Sequence, residues 1–137
     1  MAGDRGESDE GSDDPLTRSI IIKVHKTLGP GFGEAIYRRA LVVELKRHGL
    51  AVATEVEVNV AYGGEIVGQD RLDLLVERSV IVEVKVVEAL GKAHYAQVRS
   101  YLRATSLAVA LLVNFNGSKV DYRRVSSPTS PIVPPIS

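Results

Sequence analysis

Apolar residues recur at two spacings along the chain, and the two alternate in blocks. Leu16, Ile20, Val24 and Leu28 repeat every fourth position, which predicts a helix stopped by Gly29-Pro30. Glu34 to His48 predicts a second helix with Ile36, Ala40, Val43 and Leu45 toward the core and Gly49 as its C-terminal stop. The spacing then changes to two. Val52, Thr54, Val56, Val58 and Val60 alternate with Glu55, Glu57 and Asn59, the mark of a strand with one wet face. Gly63-Gly64 predicts a hairpin turn into a strand over 65–76. Glu77-Arg78-Ser79 turns the chain into a third strand, 80–87. Lys92 to Ala104 reads as a helix, and 107–115 is a continuous apolar run of the fully buried kind. A short final strand over 120–125 follows the Asn116-Gly117 turn. The order is helix, helix, three-strand meander, helix, strand. It predicts an α/β fold with a mixed central sheet flanked by helices, the long last strand returning through a helical crossover.

The ends differ from this body. Residues 1–14 hold six acids and one base, a net charge of −5, with almost nothing apolar, and are expected to be a disordered acidic tail. Residues 126–137 hold four of the six prolines and are expected to be an extended Pro/Ser-rich tail. Residues 15–125 then form one domain, as a chain of 137 residues allows. The chain is neutral overall, so everything after the acidic tail carries +5, a mildly basic balance compatible with nucleic acid.

Composition removes several chemistries. There is no cysteine, hence no disulfide, thiolate metal site or cysteine nucleophile. No apolar run is long enough to span a membrane and no basic-then-apolar start suggests secretion, so a cytoplasmic location is expected. No phosphate-binding glycine loop, G-x-S-x-G or H-E-x-x-H occurs. Aromatic residues are 5% with no tryptophan, a poor basis for a base-stacking platform.

The informative stretch is Val80-Ile81-Val82-Glu83-Val84-Lys85-Val86-Val87. Glu83 and Lys85 interrupt a β-branched strand and, two apart, share a face. Burying two charges in a sheet is costly unless they pair with each other or something binds them. Asp73 likewise interrupts the preceding apolar run, and a hairpin with its tip at Glu77–Ser79 sets it opposite a residue near Glu83. Two adjacent carboxylates repel, and a divalent cation relieves that repulsion. Oxygen-only ligands suit Mg²⁺ or Mn²⁺, with the Val84 carbonyl as a further donor. On the next helix His94, Gln97 and Tyr101 share one face. Near the start, Gly31-x-x-Glu34-x-x-Tyr37 opens the second helix, where Glu34 also complements the helix dipole.

The D-x(9)-E-x-K arrangement of Asp73, Glu83 and Lys85 resembles the signature of the PD-(D/E)XK nuclease superfamily, with Leu72 in place of the proline. Gln97 and Tyr101 resemble the Q-x-x-x-Y helix motif of its exonuclease-type members. The Gly31–Tyr37 segment, with Asp-Leu-Leu-Val at 73–76 and Leu-Leu-Val-Asn-Phe at 111–115, resembles the GxxExxY protein family assigned to that superfamily. The resemblance implies a restriction-endonuclease-like core and a metal-dependent nuclease, acting on DNA rather than RNA. Asp73, Glu83 and Glu34 would hold Mg²⁺ or Mn²⁺, and Lys85 would position the attacking water. Gln97 would hold water or a substrate phosphate, with Tyr101 and Tyr37 contacting substrate. The alternative is a non-catalytic module of the same fold that binds nucleic acid or a protein partner. A body this close to a minimal core would find targets through a partner or a homodimer.

Overall fold

The computed structural model describes residues 15–127. The segments expected as tails, 1–14 and all but the first two residues of 126–137, lie outside that range. Three helices and five strands follow in the order α1 (Pro15–Leu28), α2 (Glu34–Arg47), β1 (Val52–Tyr62), β2 (Glu65–Val76), β3 (Val80–Lys85), α3 (Lys92–Thr105), β4 (Val109–Asn114) and β5 (Asp121–Ser126). The strands lie in the sheet in chain order. β1, β2 and β3 are antiparallel neighbours, β3 and β4 run parallel across the α3 crossover, and β5 closes the far edge antiparallel to β4.

Helices cover both faces. α1 and α2 pack Ile20, Ile21, Val24, Tyr37, Leu41 and Leu45 on Leu74, Val82, Val84, Leu111, Val113 and Phe115. α3 packs Val98, Tyr101 and Leu102 on the opposite face, against Val58, Leu72, Ile81, Ala110 and Leu112. β4 is buried along its whole length, as its unbroken apolar sequence requires between two helical layers. Each fully buried aliphatic side chain contributes roughly 1.5–3 kcal/mol.

The face of α2 differs from the one its apolar spacing predicts. Ala40 and Leu45 face the core as expected, but Ile36 and Val43 are exposed, and Tyr37 and Leu41 are buried in their place. Tyr37 decides the rotation. Its ring stacks on Phe115 with centroids 4.6 Å apart. Its hydroxyl donates to the Gly29 carbonyl and accepts from the Phe32 N–H. An aromatic anchor that also satisfies loop backbone outweighs the smaller Ile36 and Val43. Gly29 has a φ of 74°, a left-handed turn that glycine adopts without a Cβ clash.

The alternation of β1 also departs from expectation. Val52 packs on the α1–α2 side, but Val56 and Val58 pack on the α3 side. β2 does the same, with Leu72 on the α3 side and Leu74 on the other. In a regular strand such i, i+2 pairs share a face. The flip falls at Glu55 and Asp73, which the β1–β2 register skips. Glu55 has a φ of 50°, a left-handed backbone that costs a non-glycine residue roughly 1–2 kcal/mol. Beyond the flip the β1–β2 hairpin runs on as a two-stranded arm, because β3 pairs with β2 only over Leu74–Val76.

Candidate active site

Asp73 marks a fork. The β2–β3 ladder pairs Val76 with Val80, Leu75 with Ile81 and Leu74 with Val82, then stops. One more step of that register sets Asp73 against Glu83. There side chains take over from the backbone. The Asp73 N–H donates to Glu83 Oε2 at 2.9 Å. The Val84 N–H donates to Asp73 Oδ2 at 2.9 Å. Val84 is thus tied to the pair through its N–H rather than the carbonyl considered from sequence. The reciprocal bonds satisfy the parting strands and hold both carboxylates at the mouth of the fork.

Glu83 is 3% exposed. Burial raises its carboxyl pKa to about 8, and the neighbouring Asp73 charge and the more distant Glu34 add to the rise. The Asp73 N–H bond and the charge of Lys85 oppose it only partly. Lys85 forms no ion pair with Glu83 among the described residues. Its Nζ donates instead to Gln97 Oε1 on α3 at 3.0 Å. Mutual neutralisation of Glu83 and Lys85, the structural alternative raised by the sequence, is therefore not what the fold builds.

Asn114 braces the end of β3. Its Oδ1 accepts from the Val87 and Asn116 N–H groups and its Nδ2 donates to the Val87 carbonyl. The Phe115 N–H donates to the Lys85 carbonyl at 2.9 Å. These contacts end β3 at Lys85, two residues before its apolar run does.

The remaining expected residues divide. Tyr101 is buried, and its hydroxyl pKa is raised to about 12 by burial and by Glu83, Asp70 and Asp73, so its ring lies beside the acids. Glu34 stands at the first turn of α2, within electrostatic reach of Glu83. It does not close on the pair: no three acidic or histidine side chains among the described residues cluster tightly enough to hold a metal ion. Tyr37, expected at substrate, is fully buried, and its hydroxyl is spent on Gly29 and Phe32. It holds the loop that leads into Glu34. His94, on the Gln97 face, caps α3 by accepting from the Gly91 N–H.

Arg38 joins the site as a residue not singled out from the sequence. Its Nη1 is 3.9 Å from Asp73 Oδ1. The signal was present, since Arg38 is four residues after Glu34 and so lies on the same helical face.

A two-carboxylate donor set fits a Mg²⁺-like cation, which is commonly held by one or two carboxylates with water and substrate phosphate completing the shell. It does not fit a closed cage built by the protein.

A family model described as the PD-(D/E)XK nuclease superfamily matches residues 15–125. The chain belongs to the PD-(D/E)XK nuclease superfamily. The five-stranded mixed sheet with helices on both faces is the corresponding nuclease-like fold. The crystal structure of SSO0001 matches with a TM-score of 0.56 at 22% identity, over 70% of this chain and 50% of that one. The likeness is one of fold, and the chain spans about half the length of SSO0001. No curated protein matches. No helix among the described residues is long and apolar enough to cross a membrane.

Proposed function

We propose that this superfamily member is a divalent-cation-dependent nuclease and that Asp73, Glu83, Lys85 and Gln97 carry its chemistry. The observation that supports this best is the fork itself. Two acids are held together at a break in the sheet, and the lysine two residues on turns away to a glutamine.

Asp73 and Glu83 are the ligands, and Mg²⁺ or Mn²⁺ is the cation their oxygen donors suit. Once bound, the cation supplies Lewis acidity toward a phosphoryl oxygen and a water of lowered pKa. The chain's own groups do the rest. Lys85 holds the attacking water and sets a positive charge beside the phosphate, where negative charge builds in the transition state. Gln97 fixes the Lys85 ammonium through its amide oxygen, which limits the positions Lys85 samples. Arg38 offsets charge on Asp73 and is within reach of a phosphate that displaces it. Glu34 contributes its field from α2 rather than a direct ligand bond.

The substrate is DNA rather than RNA, by the resemblance of the Gly31–Tyr37, Asp73–Val76 and Leu111–Phe115 segments to the GxxExxY family. A cytoplasmic location, expected from the absence of a secretion-like or membrane-spanning run, belongs to the same reading, and so does targeting through a protein partner or a homodimer, expected from a body close to a minimal core.

The test is an incubation of the full chain with single- and double-stranded DNA and RNA in Mg²⁺, Mn²⁺ or EDTA, with Lys85→Ala alongside. Cleavage that needs the metal and disappears in Lys85→Ala is the expected result. Absence of cleavage under every condition would favour the non-catalytic module.

A further inference from the structure

The arm beyond the flip at Glu55 and Asp73 faces α3. Between it and α3 is a cleft of about 550 Å³. That volume falls within the roughly 300–1,000 Å³ of small-molecule sites. Val58 and Val60 line it from the arm and Tyr101 and Ala104 from α3, so apolar surface faces apolar surface. The charged lining is Asp70 on β2 and Arg103 on α3, with Asn59 and Ser100 as neutral polar neighbours. Among the described residues neither Asp70 nor Arg103 has a hydrogen-bond or ion-pair partner. Tyr101 is the shared wall between this cleft and the carboxylate fork, since Asp70 on one side and Asp73 and Glu83 on the other all act on its hydroxyl.

The charges select the kind of occupant. Asp70 and Arg103, one acid and one base, leave the cleft lining without net charge. They favour a neutral, flat group with N–H donors on its edge. A carboxylate accepts hydrogen bonds and a guanidinium donates them. Among the nucleobases only guanine presents two adjacent N–H donors beside a carbonyl acceptor on its pairing edge. Asp70 is an acceptor for the two donors, and Arg103, which lines the same cleft, is a donor for the carbonyl. In a duplex the edge is already paired, so only an unpaired strand offers it.

We propose that the cleft between the β1–β2 arm and α3 binds an unpaired guanine base of the strand whose backbone lies at the Asp73–Glu83 fork. The placement of that backbone rests on the nuclease reading, whereas recognition of the base does not. The site makes the protein act on single-stranded segments and prefer guanine beside the cleaved linkage.

The test separates the two readings. The monophosphates GMP, AMP, CMP and UMP are titrated into the full chain in EDTA and followed by amide NMR shifts. The same titrations are run on Asp70→Asn and Arg103→Ala. GMP is expected to bind roughly tenfold more tightly than the others, as one bidentate base contact allows. Its shifts should centre on residues 58–60, 70 and 101–104. Asp70→Asn should remove the preference and Arg103→Ala should weaken GMP alone. Both variants should keep the wild-type melting temperature, because both side chains are exposed. Equal binding of all four nucleotides, no binding, or a preference that survives Asp70→Asn would overturn the proposal. Guanine preference without cleavage of any polymer would remove the nuclease reading and leave the pocket. Metal-dependent cleavage without guanine preference would do the reverse.

Discussion

Two glutamates, one on each side of the sheet, are almost equally hidden, and the fold treats them in opposite ways. Glu44 on α2 is 7% exposed and Glu83 on β3 is 3% exposed. Glu44 accepts from Lys23 Nζ at 2.9 Å and has Arg47 and His48 within 4.0 Å. Its carboxyl pKa is lowered, first by the Lys23 hydrogen bond. Glu83 has an acid as its nearest ionisable neighbour, and its carboxyl is pushed up to about 8. The chain compensates the first charge with its own cations, whereas Lys85 offsets the second only partly and Asp73 opposes it. A buried acid of the first kind belongs to the architecture, and one of the second kind has a ligand as its natural partner.

The contrast can be broken most severely at Lys85. Its replacement by alanine should reduce metal-dependent cleavage by on the order of a hundred- to a thousandfold. Stability should change by only about 1 kcal/mol, because a single half-exposed hydrogen bond to Gln97 is lost. A melt beside the cleavage assay checks both. A loss of several kcal/mol would mean that Lys85 neutralises Glu83 after all.

The glutamates themselves should give opposite signs. Glu83→Gln keeps an oxygen for the Asp73 N–H and removes the ionisation that burial opposes. It should stabilise the protein by a few kcal/mol at pH 8 and abolish its response to Mg²⁺. Glu44→Gln should destabilise it at the same pH, by removing the negative charge that Lys23, Arg47 and His48 face. Denaturant melts of the two variants provide the comparison.

Proton linkage sharpens the same point. In the folded chain Glu83 keeps its proton up to about pH 8, whereas in the unfolded chain it loses it near the ordinary 4.5. Between those values the folded state binds more protons, so this group makes stability fall as pH rises. Glu44 has the reverse sign, and its contribution is present above the ordinary carboxylate range and lost as pH falls below it. Melts from pH 5 to 8 should show the decline in wild type and its absence in Glu83→Gln.

Smaller effects are expected at the edges of the site. Arg38→Ala should raise Mg²⁺ affinity roughly fivefold by freeing Asp73, an effect of about 1 kcal/mol for a part-exposed pair. Calorimetric titration reads it directly. Tyr37→Phe should cost about 1 kcal/mol by releasing the Gly29–Phe32 loop while the Phe115 stack persists.

The fork was legible in the sequence because its geometry is local. The turn at 77–79 sets the β2–β3 register, and the register brings Asp73 to Glu83. The helical crossover returns Gln97 to the same end of β3. The face of α2 was half legible: Ala40 and Leu45 reach the core as expected, but Ile36 and Val43 form one apolar stripe and Tyr37 and Leu41 form another. A period of 3.6 cannot choose between two such stripes. The choice came from Phe115, nearly eighty residues away in the chain. Glu44 took an interior place because Lys23 of a different helix waits there. The flip at Glu55 carries no local signal, since neither glutamate nor its neighbours favour a left-handed backbone. The arm and its cleft follow from that flip, so they too were invisible until the strands were paired.

The most direct test of the account is the melting temperature of the full chain at pH 8 with rising Mg²⁺ or Mn²⁺, beside Asp73→Ala and Glu83→Gln. An acid pair left for an outside cation predicts that metal raises the wild-type melting temperature. It also predicts that neither variant responds and that metal-free Glu83→Gln already melts above metal-free wild type. A wild type indifferent to both metals, with Glu83→Gln melting no higher, would mean that the chain compensates Glu83 itself and that the fork is architecture.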